Sequence, residues 1–160
     1  MLHFPPTLIL RHRKENLKKC SLRGLEGRSD FKFFTYPQDS LPPLESSILL
    51  TLGAPILSKQ DSAYGLCLVD ATWRHAGVML KNTPAFDTCI KRSLPSHLRT
   101  AYPRRQEDCP DPEAGLASIE ALYAAYFLLG RNTEGLLDNY HWKESFLSVN
   151  LDFSNALTYS

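Results

Sequence analysis

The run Gly65-Leu66-Cys67-Leu68-Val69 is apolar without interruption and stops at Asp70. Such a run suits a strand covered on both faces, as in the parallel sheets of α/β proteins. Ile48 to Leu52, closed by Gly53, has the same character. The aromatic-rich Phe31 to Tyr36 and the β-prone Thr7 to Arg11 read as two further strands. After Asp70, a helix opens at Ala71 or Thr72 and runs to about Lys81. The clearest helix spans Leu116 to Leu129, where Leu116, Ile119, Leu122, Tyr123, Tyr126, Phe127 and Leu129 recur at helical spacing and Gly130 stops the run. Shorter helices are expected at Thr133–Tyr140 and Trp142–Val149, with a turn or short helix at Asp61–Tyr64. Residues 82–115 are Pro-rich and irregular, with a short strand around Lys91 to Leu94. The expected class is therefore α/β.

A length of 160 residues means one domain, or one domain with a small N-terminal extension. The 43% hydrophobic content supports a real core. No apolar run reaches the ~20 residues of a membrane span, so no membrane partner is expected. Pro5 and Pro6 break the apolar start, and the charges follow it, unlike a signal peptide. These features point to the cytoplasm. Cys20, Cys67, Cys89 and Cys109 form no CxxC pair, so no metal site or disulfide framework is expected. Charge is unevenly distributed. Residues 1–105 hold sixteen Lys/Arg and eight Asp/Glu, net +8, while residues 106–160 hold two and nine, net −7. That asymmetry suits either a polyanion partner on one face or an ordinary solvated surface.

Asp70 stands where α/β sheets bind ligands, outside the carboxyl end of a strand and before a helix N-terminus. It suits a ligand contact, a base, or an N-cap. Trp73 suits a wall for a flat or cationic ligand, or a core position. The basic residues Arg11, Arg13, Lys14, Lys18, Lys19 and Arg23, with the loop residues Arg99, Arg104 and Arg105 beside Tyr102, suit structured RNA: cations for phosphates, an aromatic for an unpaired base. His75 and His97 carry no metal spacing or nucleophile motif. No GxGxxG, P-loop or GxSxG is present, which sets aside classical nucleotide folds and serine hydrolases.

Several segments together resemble a known superfamily. Asp70-Ala71-Thr72-Trp73, followed by Ala76, resembles the D-x-T-W signature of DTW-domain proteins and is similar to the D-C-S-W of the Tsr-type small-subunit rRNA aminocarboxypropyltransferases. Lys18-Lys19-Cys20-Ser21-Leu22-Arg23 resembles their P-K-R-C-S-G-R segment, and Ser93-Leu94-Pro95 their L-L-P or L-P-P step. Gly115-Leu116-Ala117-Ser118-Ile119-Glu120-Ala121 matches G-x-L-S-x-x-E-A, and Tyr140-His141-Trp142, Phe146-Leu147 and Asn150 look like the F-K-W…F-L…L-N ending. Thr100 to Arg105 departs from the A-N-P-V-N-Y-G of the rRNA branch and looks more like the S-x-Y-x-x-R-R-x-P of DTW proteins, whose Cys-rich start is absent here. The RNA target is open between rRNA and tRNA.

The resemblance implies a SPOUT-like sheet with helices on both faces and a C-terminal trefoil knot. It divides the chain into an RNA-facing N-terminal subdomain, 1–58, and a knotted domain, 59–160, that binds S-adenosylmethionine. It implies a monomer that transfers the 3-amino-3-carboxypropyl group of that cofactor to a uridine-type base. Asp70 and Trp73 take the catalytic positions, Trp73 lining the transferred chain and Asp70 acting as base or orienter. Ser21 reaches the methionine carboxylate, and Thr51, Leu52 and Gly53 the ribose or adenine. Thr72 belongs to the same set. Leu94, Ala101, Tyr102, Leu116, Ala117 and Ser118 form the adenine pocket. A SPOUT-type RNA methyltransferase and a non-catalytic RNA-binding protein are the competing expectations.

Overall fold

The computed structural model describes residues 4–15, 21–102 and 116–151. Five strands form one sheet: β1 (Thr7–His12), β2 (Phe31–Tyr36), β3 (Ser47–Leu50), β4 (Gly65–Asp70) and β5 (Ile90–Arg92). Their order is β2-β1-β4-β3-β5, and every pairing is parallel. Strands from either side of residue 58 thus interleave in a single sheet. Three α-helices accompany it among the described residues: α1 (Trp73–Lys81), α2 (Ser118–Leu129) and α3 (Lys143–Val149).

Alternation along the strands sends neighbouring side chains to opposite faces. Ile9, Ile48, Leu66 and Leu68 join Ile119, Leu122 and Tyr126 of α2 and Phe146 of α3 in one core. Leu10, Leu49 and Cys67 join Met79 of α1 and Phe86 in another. Helices therefore cover both faces, which explains why β3 and β4 are apolar without alternation. Each wholly buried Leu or Ile contributes roughly 1.5–3 kcal/mol. The small side chains Ala124 and Ala125, with no exposure, let α2 lie close on the sheet.

The helix expected at Thr133–Tyr140 is instead a chain of turns. Its bonds run three residues back, Leu136 N–H to Thr133 O at 3.2 Å and Asp138 N–H to Gly135 O at 3.3 Å. Gly135, at φ 82, takes a conformation a right-handed helix does not contain. The strand expected at Lys91–Leu94 begins one residue earlier and ends at Arg92, although Ser93 still bridges to Ile56. No described helix is long and apolar enough to cross a membrane.

Candidate functional site

In a parallel sheet all strands end on one edge, here at His12, Tyr36, Leu50, Asp70 and Arg92. The connection leaving β1 returns to β2 on one side, with Leu22 and Leu25 packed on the α2 face. The connection leaving β4 runs through α1 toward β5 on the other side, packing Met79 on the opposite face. Neighbouring strands whose connections diverge in this way open a crevice between their carboxyl ends. The register places Arg11 opposite Asp70 at that point.

Alternation turns both side chains toward α2. Arg11 Nε donates to Asp70 Oδ2 at 3.0 Å, and Ser118 Oγ, in the first turn of α2, donates to Asp70 Oδ1 at 3.0 Å. Arg11 Nη1 also reaches Glu26 Oε1 at 3.3 Å, and its guanidinium lies 4.6 Å from the centre of the Phe33 ring. The Arg11–Asp70 pair is buried, with side chains 10% and 5% exposed. Removing one partner of such a pair costs about 3–5 kcal/mol, because the other charge is left unpaired. Arg11, expected among the RNA contacts, is thus occupied inside the fold. The N-cap of α1 is Thr72, which makes no side-chain cap bond, and Asp70 is not a cap.

The next segment is held from two sides. Ser21 Oγ accepts the Ile119 amide at 3.3 Å, and Glu26 Oε2 accepts the Gly24 amide at 2.8 Å. Burial pushes the Glu26 carboxyl up, but the Glu26 and Gly24 amides and Arg11 outweigh it and hold it below its ordinary value. Burial pushes the half-buried Glu15 carboxyl up, with the charge of Asp70 adding and Arg11 opposing. Burial, then His75, Lys14 and Arg13, pull the His12 imidazole down. His12 stacks on His75 with ring centres 4.1 Å apart.

Glu120 is the organising residue, part of the matched G-x-L-S-x-x-E-A segment but assigned no role from sequence. It has no exposure, and its carboxylate accepts from Thr100 Oγ1 (2.6 Å), Ala101 N (2.8 Å), Ala117 N (2.7 Å) and Tyr140 Oη (2.9 Å). It ties Ala101 and Tyr102 to the start of α2. Asn150 fixes the same loop from α3, accepting from Arg99 N and donating to Arg99 O, both at 2.8 Å. The available signals were the spacing Ala117-x-x-Glu120, which suits a carboxylate returning to an N-cap amide, and a charge on a buried helix face.

Ser21, Asp70, Ala101, Tyr102, Ala117 and Ser118 are therefore brought together by hydrogen bonds. Thr51, Leu52 and Gly53 follow the carboxyl end of β3 and Leu94 that of β5, along the same edge, where Thr51 N donates to Arg92 O at 2.8 Å. Gly53 adopts φ 76 in the turn after β3, and Leu52 beside it is fully exposed. Leu94 and Leu116 pack on the core. Trp73 opens α1. Arg13, Lys14, Arg23 and Arg99 are exposed, while Lys18, Lys19, Arg104 and Arg105 lie outside the described residues. No cluster of three metal-ligating side chains occurs among the described residues. A separate concavity of about 540 Å³, walled by Pro5, Pro6, Leu41, Pro42 and Pro43, opens near the amino ends of the strands, away from these groups.

The arrangement offers hydroxyls and helix N-terminal amides to an anion, carboxylates to a cation, and backbone walls to a planar ring. The chain is similar to the solved structure of the SAM-dependent rRNA:acp-transferase Tsr3 from Vulcanisaeta distributa. The two are 25% identical, with a TM-score of 0.70, over 93% of this chain and 80% of that one. No protein-family model and no curated protein matches the chain.

Proposed function

We propose that this chain transfers the 3-amino-3-carboxypropyl group of S-adenosylmethionine to a uridine or pseudouridine base, with rRNA as the substrate class. The observation that carries the reading is the likeness to Tsr3 over 93% of the chain, with Asp70 at the crevice between β1 and β4. The residues fit such a cofactor. The Ser21 and Ser118 hydroxyls and the N-terminal amides of α1 suit its carboxylate, and the carboxylates around Arg11 suit its ammonium and sulfonium charges. When bound, the cofactor supplies a carbon made electrophilic by the neighbouring sulfonium.

The protein's part is mainly positioning. Asp70, fixed between Arg11 and Ser118, orients the reacting groups, and Trp73 lines the transferred chain. Ser21 takes the methionine carboxylate. Thr51, Leu52, Gly53 and Thr72 hold the ribose side. Leu94, Ala101, Tyr102, Leu116, Ala117 and Ser118 enclose adenine, with the Ala101 and Ala117 amides held by Glu120. Arg13, Lys14, Lys18, Lys19, Arg23, Arg99, Arg104 and Arg105 bind RNA phosphates. The SPOUT-like threading with a C-terminal trefoil knot, the RNA-facing role of residues 1–58, a monomeric state and a cytoplasmic site of action belong to the same reading.

Calorimetry with S-adenosylmethionine and mass spectrometry of RNA from a deletion strain test it. The expected result is binding by the folded protein and loss of an aminocarboxypropyl-sized adduct from one nucleotide of rRNA. Loss of a methyl-sized adduct selects the methyltransferase alternative, and absence of binding rejects both enzyme readings. Trp73→Ala is expected to weaken cofactor binding at least tenfold, whereas normal affinity in that variant counts against the pocket.

A further inference from the structure

Alkylation of a base nitrogen releases a proton, and Asp70 is badly placed to accept it. Its two oxygens are taken by Arg11 Nε and Ser118 Oγ, and it is only 4% exposed. Protonating it breaks a buried ion pair. Glu26 is bound to Arg11 and the Gly24 amide, Glu120 to four donors, and Asp61 to Arg92. His12 is unsuited for a different reason. Its Nδ1 accepts the Lys14 amide at 3.1 Å, so the neutral ring carries its proton on Nε2 and acts there only as a donor.

Glu15 is left. The turn after β1 folds it back, its amide donating to His12 O at 3.0 Å. There its half-buried carboxyl feels the charges of both Asp70 and Arg11, and no hydrogen bond to it is made among the described residues. Among the described residues, the charged groups around it include Arg13 and Lys14 in the same turn and Glu26 beyond Arg11, with the His12–His75 stack bordering α1. We infer that Glu15 is the proton acceptor of the transfer. Its carboxylate takes the imide proton of the uridine-type base while that nitrogen forms its bond to carbon, and the electrons of the carbon–sulfur bond leave with the thioether. The inference rests on the transfer reaction proposed above. Burial and the charge of Asp70 both strengthen Glu15 as a base, narrowing its gap to the weakly acidic imide. Two carboxylates thus divide the work: Asp70, held by Arg11 and Ser118, fixes geometry and Glu15 accepts the proton.

The test compares wild type with Glu15→Gln. Cofactor affinity is measured by calorimetry. Single-turnover transfer is measured from carboxyl-labelled S-adenosylmethionine to small-subunit rRNA of a strain lacking the gene, from about pH 6 to about pH 9. The variant is expected to bind the cofactor within about twofold of wild type but to transfer about 100-fold more slowly at neutral pH. Its deficit should shrink about tenfold per pH unit as solvent deprotonates the base. A variant with wild-type transfer, or one whose cofactor affinity falls as far as its rate, overturns the assignment of Glu15. A wild-type protein that binds the cofactor and labels no RNA overturns the transfer reading itself, and this assignment with it.

Discussion

Glu120 receives four hydrogen bonds from three parts of the chain: Thr100 and Ala101, Ala117, and Tyr140. Truncation to Ala strands those donors in a place without exposure, and each unsatisfied group costs about 1–3 kcal/mol. Glu120→Ala is expected to lose about 3 kcal/mol or more in urea unfolding, and Glu120→Gln less, since its one acceptor oxygen keeps part of the set. Equal, small losses in both would show that the carboxylate does not organise the loop. The sequence placed Glu120 three residues after Ala117, but not its partners, because hydrogen bonds across 20 residues follow from tertiary approach. Asp70 makes the same point. Its position at a strand end was legible, while the choice among cap, base and ligand contact turned on Arg11 and Ser118, 59 and 48 residues away.

At the level of elements, uninterrupted apolar runs, an aromatic cluster and helical spacing carried most of the reading. β2 begins and ends where its aromatics do, and α2 stops at Gly130 as expected. There Gly130 takes φ 75, and the Arg131 amide returns to Tyr126 O at 2.9 Å, closing a Schellman turn. Gly130→Ala should cost roughly 1–2 kcal/mol in thermal or urea unfolding, from backbone conformation alone, since its nearest neighbour is the flexible Lys59 side chain. Gly77, inside α1 with open space where a Cβ would stand, gives the opposite sign. Gly77→Ala should gain about 0.5–1 kcal/mol. If both substitutions moved stability the same way, the two conformations would be wrong. The failure at Thr133–Tyr140 has the same root. Its apolar spacing was helical, but Gly135 at φ 82 makes the segment a set of turns, and packing of Leu136, Leu137 and Tyr140 on the core sustains them.

For the whole molecule, charge segregation was visible in the sequence, but which cations stay at the surface was not. Arg13, Lys14, Arg23 and Arg99 are exposed, with Arg13 and Lys14 in the turn just past the carboxyl end of β1, whereas Arg11 is drawn inside by Asp70 and Glu26. Each phosphate contact contributes about 0.7–0.9 to the slope of log affinity against log salt. Arg13→Gln with Lys14→Gln should therefore flatten that slope by about 1.5 for a small-subunit rRNA fragment, read by fluorescence anisotropy. Arg11→Met should leave the slope nearly unchanged while lowering stability. An unaltered slope in the double variant would place the RNA on another face.

The sequence alone determined that this is an α/β chain with buried parallel strands, one of them ending at Asp70, and a long apolar helix, because those features are local and periodic. Only the tertiary structure decided that β1 and β4 are neighbours whose connections diverge. That adjacency sets Arg11 against Asp70, occupies both carboxylate oxygens, and leaves the Glu15 carboxyl beside them with no hydrogen bond among the described residues. The reason is physical: strand order and side-chain pairing are settled by packing between residues far apart in the chain, and no spacing along the sequence encodes them.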